Sequence, residues 1–319
     1  MGQLGILFVF IGGGLVLAAV LQYFIAITIV PEGTPMSSMA DEMMKALNKP
    51  ANVNTARLLQ VLGTFCTLFI PSMMFSWVCN GKNPFWLGFN KYLNIYQVLI
   101  GFLIIFTANI MAAPMEELVK KILVHIPSLD QMAKNLESAY NDQVVMLSNL
   151  RSLPELILAI LIMAFFPAMF EEMFFRGALQ NLLIKWWKMP VLAIIVTSLL
   201  FSLIHLSVYL FLSRALLGFV LGMMYYKTRN IWVNIIAHFL NNAIAVAQLY
   251  AMSRNNKPVD VSKIDPKVEW WLGIVAIVIL FFLFRFLVRY SEKNKMKIFT
   301  KEQSLLVNET SGNPFANSN

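Results

Sequence analysis

Residues 157–180 read ILAILIMAFFPAMFEEMFFRGALQ. This stretch is long enough to cross a bilayer as a helix, yet it carries two acids and one base. An ionisable side chain at the centre of a bilayer costs about 2.5–3.5 kcal/mol, so it persists only when it is paired or faces a hydrated cavity. The stretch therefore predicts a membrane helix with a polar site built into it.

The two adjacent acids are expected to have different roles. Glu172 precedes Arg176 by four residues, which is the favoured orientation for an ion pair within one helix. Glu171 points about 100° away and has no partner in its own helix. Alternatively, both acids end a span at the membrane interface, but the apolar pattern continues beyond them to Leu179. We interpret Glu172 and Arg176 as a structural ion pair and Glu171 as a candidate general base.

The rest of the chain has the composition of a membrane protein. Of its 319 residues, 58% are hydrophobic and 13% are charged, whereas about 25% of the residues in a soluble domain are charged. The formal charge of +8 is spread as single basic residues at the ends of apolar runs, which indicates contact with lipid headgroups and no nucleic-acid partner. We predict an all-α, polytopic transmembrane helix bundle in the lipid bilayer. Its eight apolar segments lie at 4–30, 57–79, 95–113, 154–175, 190–208, 211–227, 231–250 and 269–290.

A single transmembrane domain is predicted for residues 1–300, with a catalytic core at about 154–250. Residues 301–319 become polar and rich in asparagine, which is typical of a disordered tail. Cys66 and Cys79 lack the spacing of a zinc or disulfide site, so we interpret them as small apolar residues.

The distribution of basic residues predicts the orientation of the bundle, because Lys and Arg are retained in short loops on the cytoplasmic side. Basic residues follow every second apolar segment: Lys82, Lys91, Lys185, Lys188, Lys227, Arg229 and the run from Arg285 to Lys301. The opposite loops, 31–56, 114–153 and 251–268, are mixed in charge. Both termini are therefore expected in the cytoplasm. No organelle-targeting signal is recognised, which favours a prokaryotic plasma membrane.

Two of the outer loops contain amphipathic stretches, 37–48 and 115–148, which are expected to lie along the outer membrane surface. The second stretch begins with Glu116-Glu117-Leu-Val-Lys-Lys121, which nearly repeats the pattern of charges at 171–176. His125 follows on the same predicted helix. Water would screen these charges, so we interpret the near-repeat as a solvated helix.

Two further apolar segments carry histidine. His205 follows Phe201 by four residues, on one helical face of segment 190–208. Asn234, His238 and Asn242 recur every four residues in segment 231–250, and this polar stripe must face the interior of the bundle. Taken alone, a buried histidine can be a packing residue, and a polar stripe can simply hold helices together.

Together, these residues fit two kinds of hydrolytic site. Glu171 can activate water, His205 and His238 can carry protons, and Asn242 can donate to a developing oxyanion. Glu171, His205 and His238 could instead bind Zn²⁺ or another divalent metal with an open fourth position. The HExxH motif of soluble zinc peptidases is absent, and the residue types do not decide between a metal site and a metal-free site.

At these residues the sequence resembles the CPBP family, also called the Abi or CAAX-protease and bacteriocin-processing family, which includes the eukaryotic type II CAAX prenyl endopeptidases. The family pattern is EExxxR, then FxxxH, then HxxxN. Here it reads Glu171-Glu172-Met-Phe-Phe-Arg176, Phe201-Ser-Leu-Ile-His205 and His238-Phe-Leu-Asn-Asn242. The resemblance covers about residues 165–245 and implies an intramembrane endopeptidase of α-helical fold. It implies that Glu171 activates the hydrolytic water with help from His205, and that His238 and Asn242 stabilise the oxyanion.

The resemblance also implies a peptide or protein substrate in or at the membrane, without naming its sequence. The same polar cluster would suit a non-catalytic scaffold or a bacteriocin-immunity protein, in which it holds helices together, or a proton carrier. The peptidase hypothesis requires Glu171 to be shielded from bulk solvent and to lie within about 10 Å of an imidazole, because hydrogen bonding cannot connect the groups over longer distances.

Overall fold

The computed structural model describes residues 2–147, 150, 152–254 and 268–311, which form ten longer helices, the short 3₁₀ helices Met36–Ser38, Pro50–Asn52 and Pro84–Leu87, and no strand. The prediction of an all-α fold is therefore confirmed for this part of the chain. In chain order the helices are α1 (Gly2–Ile29), α2 (Met39–Leu47), α3 (Val53–Asn80), α4 (Ile95–Leu123), α5 (Pro127–Leu147), α6 (Leu153–Trp187), α7 (Pro190–Leu203), α8 (Phe211–Thr228), α9 (Ile231–Arg254) and α10 (Trp270–Ser311).

Six helices in the described ranges are long and apolar enough to cross a membrane, namely α1, α3, α4, α6, α9 and α10. They coincide with six of the eight predicted segments. The other two segments form α7, with 14 residues, and α8, with 18 residues. At 1.5 Å per residue these helices are about 21 Å and 27 Å long, less than the ~30 Å of a hydrocarbon core. Large apolar side chains such as Phe8 and Phe282 are exposed on the outside of the bundle, as expected of a multi-pass membrane protein.

The prediction of one continuous helix over 190–208 is wrong. α7 ends at Leu203, and the chain then turns before α8 begins. The reason lies in the backbone of Leu206, whose φ of 53° is left-handed and incompatible with a right-handed helix. We call residues 204–210 the His205 turn.

Two other predicted boundaries also change. The stretch 115–148 is not one helix, because α4 continues through Pro114 to Leu123 and α5 begins at Pro127. The predicted disordered tail is helical through Ser311, and residues 312–319 lie outside the described residues, as does most of loop 251–268.

α6 packs against α3, α7 and α9. It contains two π-helical turns, Ile160–Phe165 and Met173–Gln180. A π turn adds a residue to the helical repeat and is often found at functional sites. All eight residues of the second π turn are buried, so the helix is enclosed on every side just after Glu171 and Glu172.

Two glycines allow α8 to approach α6 and α7 closely. Gly218 and Gly222 have the GxxxG spacing that lets membrane helices pack backbone to backbone. Their carbonyl oxygens accept hydrogen bonds from Arg176 Nη2 and Gln180 Nε2 of α6, each at 3.1 Å. Because both pairs are spaced by four residues, the two bonds fix the register between α6 and α8.

We expect Gly222→Ala to lower the free energy of unfolding by about 1–3 kcal/mol through overpacking. A Cβ atom there would lie 2.7 Å from Ile194 Cγ2 and 3.0 Å from Gln180 Oε1. Unfolding in detergent measures the change. Gly13→Ala is the control, because its Cβ atom would meet nothing within 4 Å and alanine has the higher helix propensity. Equal stability of the two variants would contradict close packing at Gly222.

Candidate active site

The centre of the site is the Glu172 carboxylate, which is 0% exposed. Arg176 Nη1 donates to Glu172 Oε1 at 3.0 Å from the next turn of α6. From α9, Asn234 Nδ2 donates to Oε2 at 3.2 Å and His238 Nδ1 donates to Oε1 at 2.9 Å. We assign the proton to His238 Nδ1 because a carboxylate can only accept. Asn234 and His238, two of the three residues of the polar stripe, therefore face Glu172, and the ion pair within α6 also joins two helices.

Arg176 is satisfied on its remaining sides. Besides Glu172 it donates to the carbonyl oxygen of Gly218 in α8, and its guanidinium lies 4.7 Å from the ring centroid of Phe201 in α7. Such a cation–π contact is stronger away from water. A single buried cation thus contacts α6, α7 and α8.

Glu171 lies beside this network without joining it. Its side chain is buried, with 8% of the residue exposed, and its Oε2 atom has no hydrogen-bond partner among the described residues. His238 Nε2 lies 3.8 Å from that oxygen, just beyond hydrogen-bond length. His205 is also within range for a charge–charge interaction with Glu171. The structure therefore places a buried carboxylate, with one oxygen unpaired among the described residues, next to the imidazole of His238.

His205 lies in the His205 turn and is half-buried. Its Nδ1 is 2.7 Å from the carbonyl oxygen of Phe201, which can only accept, so we assign the proton to Nδ1 and leave Nε2 as an acceptor. The ring of Phe201 lies 4.8 Å from the ring of His205 and 6.1 Å from that of His238, measured between centroids. Phe201 therefore brings both histidines onto one aromatic side chain.

The His205 turn is irregular backbone within a predicted membrane segment. α7 extends only about 21 Å from Pro190, so the turn begins short of the far side of a ~30 Å hydrocarbon core. Irregular backbone at that depth is tolerated only where it is buried in protein or lines a water-filled cavity. Ser207 and Tyr209 of the turn are buried in protein, and His205 is half-buried.

Asn242 lies one helical turn after His238 on α9 and is half-buried. Its carboxamide makes no hydrogen bond within the described part of the chain. The adjacent Asn241 instead accepts a hydrogen bond from Asn109 Nδ2 of α4 at 2.5 Å. Asn241 thus has a packing role, whereas the donors of Asn242 are uncommitted.

The candidate metal ligands have suitable donor atoms but unsuitable spacing. Nδ1 of His205 and Nδ1 of His238 are both tied to acceptors, which leaves Nε2 of each ring as the free donor, as in many metal sites. In the ranges that the structure describes, however, no three His, Cys, Asp or Glu side chains are placed to hold one ion. Glu171, His205 and His238 as positioned therefore do not fit a metal ion.

The near-repeat at Glu116 lies outside the site. Glu116 forms an ion pair with Lys120 on α4, and His125 is exposed, which agrees with a solvated helix end. Sequence reasoning missed the contributions of Gly218 and Gly222, for which the GxxxG spacing is a readable signal.

Comparisons with known proteins match the part of the chain that carries these residues. Residues 153–244 match the family model described as "Type II CAAX prenyl endopeptidase Rce1-like", which confirms the resemblance for the segment from α6 to α9. The "Uncharacterized protein YpbD" of Bacillus subtilis (strain 168) is 36% identical over 103 residues, covering 31% of this chain. That match spans about half of the relative, 48% of its length. No solved structure matches the chain.

The two adjacent acids allow a matched pair of isosteric substitutions. We expect Glu172→Gln to destabilise the fold by about 3–5 kcal/mol, because it leaves Arg176 buried without a counter-charge. Glu171→Gln should fold at least as stably as the wild type, because it removes a charge that has no hydrogen-bonded partner on Oε2. Thermal unfolding in detergent measures both variants. Equal losses of stability would contradict the separation of roles.

Proposed function

We propose that this protein is an intramembrane endopeptidase in which Glu171 activates water to hydrolyse a peptide bond. The main support is the contrast between adjacent acids. Glu172 accepts three hydrogen bonds, whereas Glu171 is also buried yet has one oxygen, 3.8 Å from His238, without a hydrogen-bond partner in the described structure. A carboxylate needed only for structure would be paired, and an unpaired one next to imidazoles is typical of a general base. The match to an endopeptidase family over residues 153–244 supports the same class of reaction.

In the proposed reaction Glu171 takes a proton from water, and the water oxygen attacks the carbonyl carbon of the peptide bond. His205 orients that water through the free acceptor Nε2. Asn242 donates to the developing oxyanion, and His238 does so when its Nε2 carries a proton. The proton on Glu171 then passes to the leaving amine as the C–N bond breaks, which restores the carboxylate.

Glu172 contributes indirectly to this chemistry. By accepting the Nδ1 proton of His238 at 2.9 Å, it sets the tautomer and the direction of that ring. Asn234 and Arg176 in turn hold the carboxylate of Glu172 in place. The structural network therefore also orients one of the proposed catalytic side chains.

We further propose a prokaryotic plasma-membrane location with both termini in the cytoplasm, supported by the basic residues that follow every second segment. The substrate is a peptide or protein in or at the bilayer, because the proposed site lies between membrane helices. Prenylated CAAX sequences belong to the description of the matching family and are not assigned to this chain.

A non-catalytic scaffold is the second candidate, and one observation favours it. Glu172, Asn234 and His238 join α6 to α9 as a helix-association network would. A scaffold function does not explain why Glu171 is buried with an unpaired oxygen. It also does not explain the free acceptor of His205 or the uncommitted donors of Asn242.

The peptidase proposal predicts that Glu171→Gln lowers turnover by at least about 10²-fold, the lower limit for loss of a general base. The assay uses protein in liposomes with a mixture of fluorogenic peptides, and mass spectrometry identifies the cleaved bond. Asn241→Ala, next to the site on α9, is the control and should retain more activity than Asn242→Ala. Undiminished cleavage by Glu171→Gln would reject the proposed base, and equal inactivity of wild type and variant would favour the scaffold.

Elemental analysis tests the metal alternative. Because three suitable ligands are not placed around one point, we expect much less than one zinc per chain in purified wild type and in Glu171→Gln, and cleavage that resists chelators. Stoichiometric zinc in the wild type that disappears in the Glu171 variant would show that the site rearranges to bind metal.

A further inference from the structure

The His205 turn is held from outside by α5, the amphipathic helix expected on the membrane surface. Ser207 Oγ donates to Glu137 Oε2, and Tyr209 Oη donates to Asp130 Oδ1, each at 2.8 Å. Both Ser207 and Tyr209 are buried. Hydrogen bonds from two turns of α5 thus attach to the short segment that follows His205.

The contact at Tyr209 combines packing with hydrogen bonding. Its ring packs against Leu123 and Ala133, and Lys134 forms an ion pair with Asp130 at 2.7 Å. Burial and the bond to Asp130 raise the pKa of Tyr209 to about 12, so its hydroxyl remains a donor at neutral pH. Hydrogen bonds from Lys134 and Tyr209 lower the pKa of Asp130, which keeps it a carboxylate acceptor.

α5 is itself fixed to the bundle at two further points. Arg57 of α3 donates to the carbonyl oxygen of Leu147, from Nε at 3.3 Å and from Nη2 at 2.9 Å. This contact satisfies a carbonyl at the C-terminal end of α5, where the helix provides no amide partner. The guanidinium of Arg214 lies 4.8 Å from the ring of Tyr140, and its Nη1 donates to the carbonyl oxygen of His205 at 3.5 Å. α5 is therefore a fixed support.

The backbone beside His205 needs such support. Leu206 follows it directly and adopts a left-handed φ of 53°. That conformation is unfavourable for a residue other than glycine. Such a residue keeps the conformation only when surrounding contacts impose it. The contacts on either side of Leu206 are those of Arg214 with His205 and of Glu137 with Ser207.

We propose that α5 positions His205 for the reaction, with Glu137 and Asp130 as positioning residues that act through Ser207 and Tyr209. This inference rests on the proposed function of His205. Through these contacts to the turn, α5 directs His205 Nε2 towards the water activated by Glu171.

The test combines Glu137→Ala with Tyr209→Phe, and each substitution is also made alone. Asp142→Ala is the control, because it removes an exposed acid from the same helix. The chain has three histidines, so ¹⁵N NMR of the imidazoles resolves His205 once His205→Gln identifies its signals. Hydrogen exchange of residues 204–210 reports on the turn, and peptide cleavage reports on kcat and KM.

In the double variant we expect at least tenfold faster exchange in the His205 turn and a shift of the His205 signals from the Nδ1–H tautomer towards an average of both. We expect kcat to fall about tenfold with KM little changed. Glu137→Gln should retain wild-type behaviour, because its amide oxygen still accepts from Ser207.

Unchanged exchange and unchanged imidazole signals in a folded double variant would overturn the proposal, as would equal effects of Asp142→Ala. If the double variant does not fold, the same measurements are made on Tyr209→Phe, which removes only one oxygen atom. Unchanged exchange and unchanged imidazole signals in that variant would then overturn the proposal. The spectroscopic result is independent of cleavage. A wild type without peptidase activity would therefore count against the proposed function, while exchange and tautomer would still decide whether α5 holds the turn.

Discussion

The buried carboxylate of Glu172 constrains the arrangement of the whole bundle. Its charge has no access to water, so Arg176, Asn234 and His238 must all reach it. Arg176 in turn needs the carbonyl of Gly218 on α8. Satisfying one carboxylate therefore brings α6, α8 and α9 together, and the GxxxG spacing on α8 follows from the same need for close approach.

That constraint also separates the functions of two neighbouring acids. Adjacent residues on a helix point about 100° apart, so the partners that surround Glu172 cannot also enclose Glu171. Glu171 is carried into the same interior but keeps an oxygen without a hydrogen-bond partner in the described structure. Burying it costs free energy, and the network centred on Glu172 stabilises the fold that holds it there. The pairing of Glu172 thus allows Glu171 to remain unpaired, and the proposed chemistry depends on this difference in hydrogen bonding between the two acids.

The sequence predicts what depends on short-range spacing and on hydrophobic length. Spacing alone predicts the ion pair of Glu172 and Arg176. It also predicts the polar stripe of α9. The early end of α7 could not be predicted, because no glycine or proline lies at residues 191–208 and the left-handed backbone of Leu206 has no signal in the local sequence. Pro114 ends no helix, because neighbouring helices can compensate for its missing hydrogen bond in a membrane bundle.

The early end of α7 and the chemistry of His205 have one cause. In a continuous helix the carbonyl of Phe201 would accept the backbone amide of His205. Here that amide bonds instead to the carbonyl of Ser202 at 3.2 Å, so the oxygen of Phe201 is available to the imidazole Nδ1 at 2.7 Å. This cap fixes the tautomer and leaves Nε2 as an acceptor. A histidine at the same position within an unbroken helix would lose both the cap and the fixed tautomer, so the FxxxH spacing works here because the helix stops inside it.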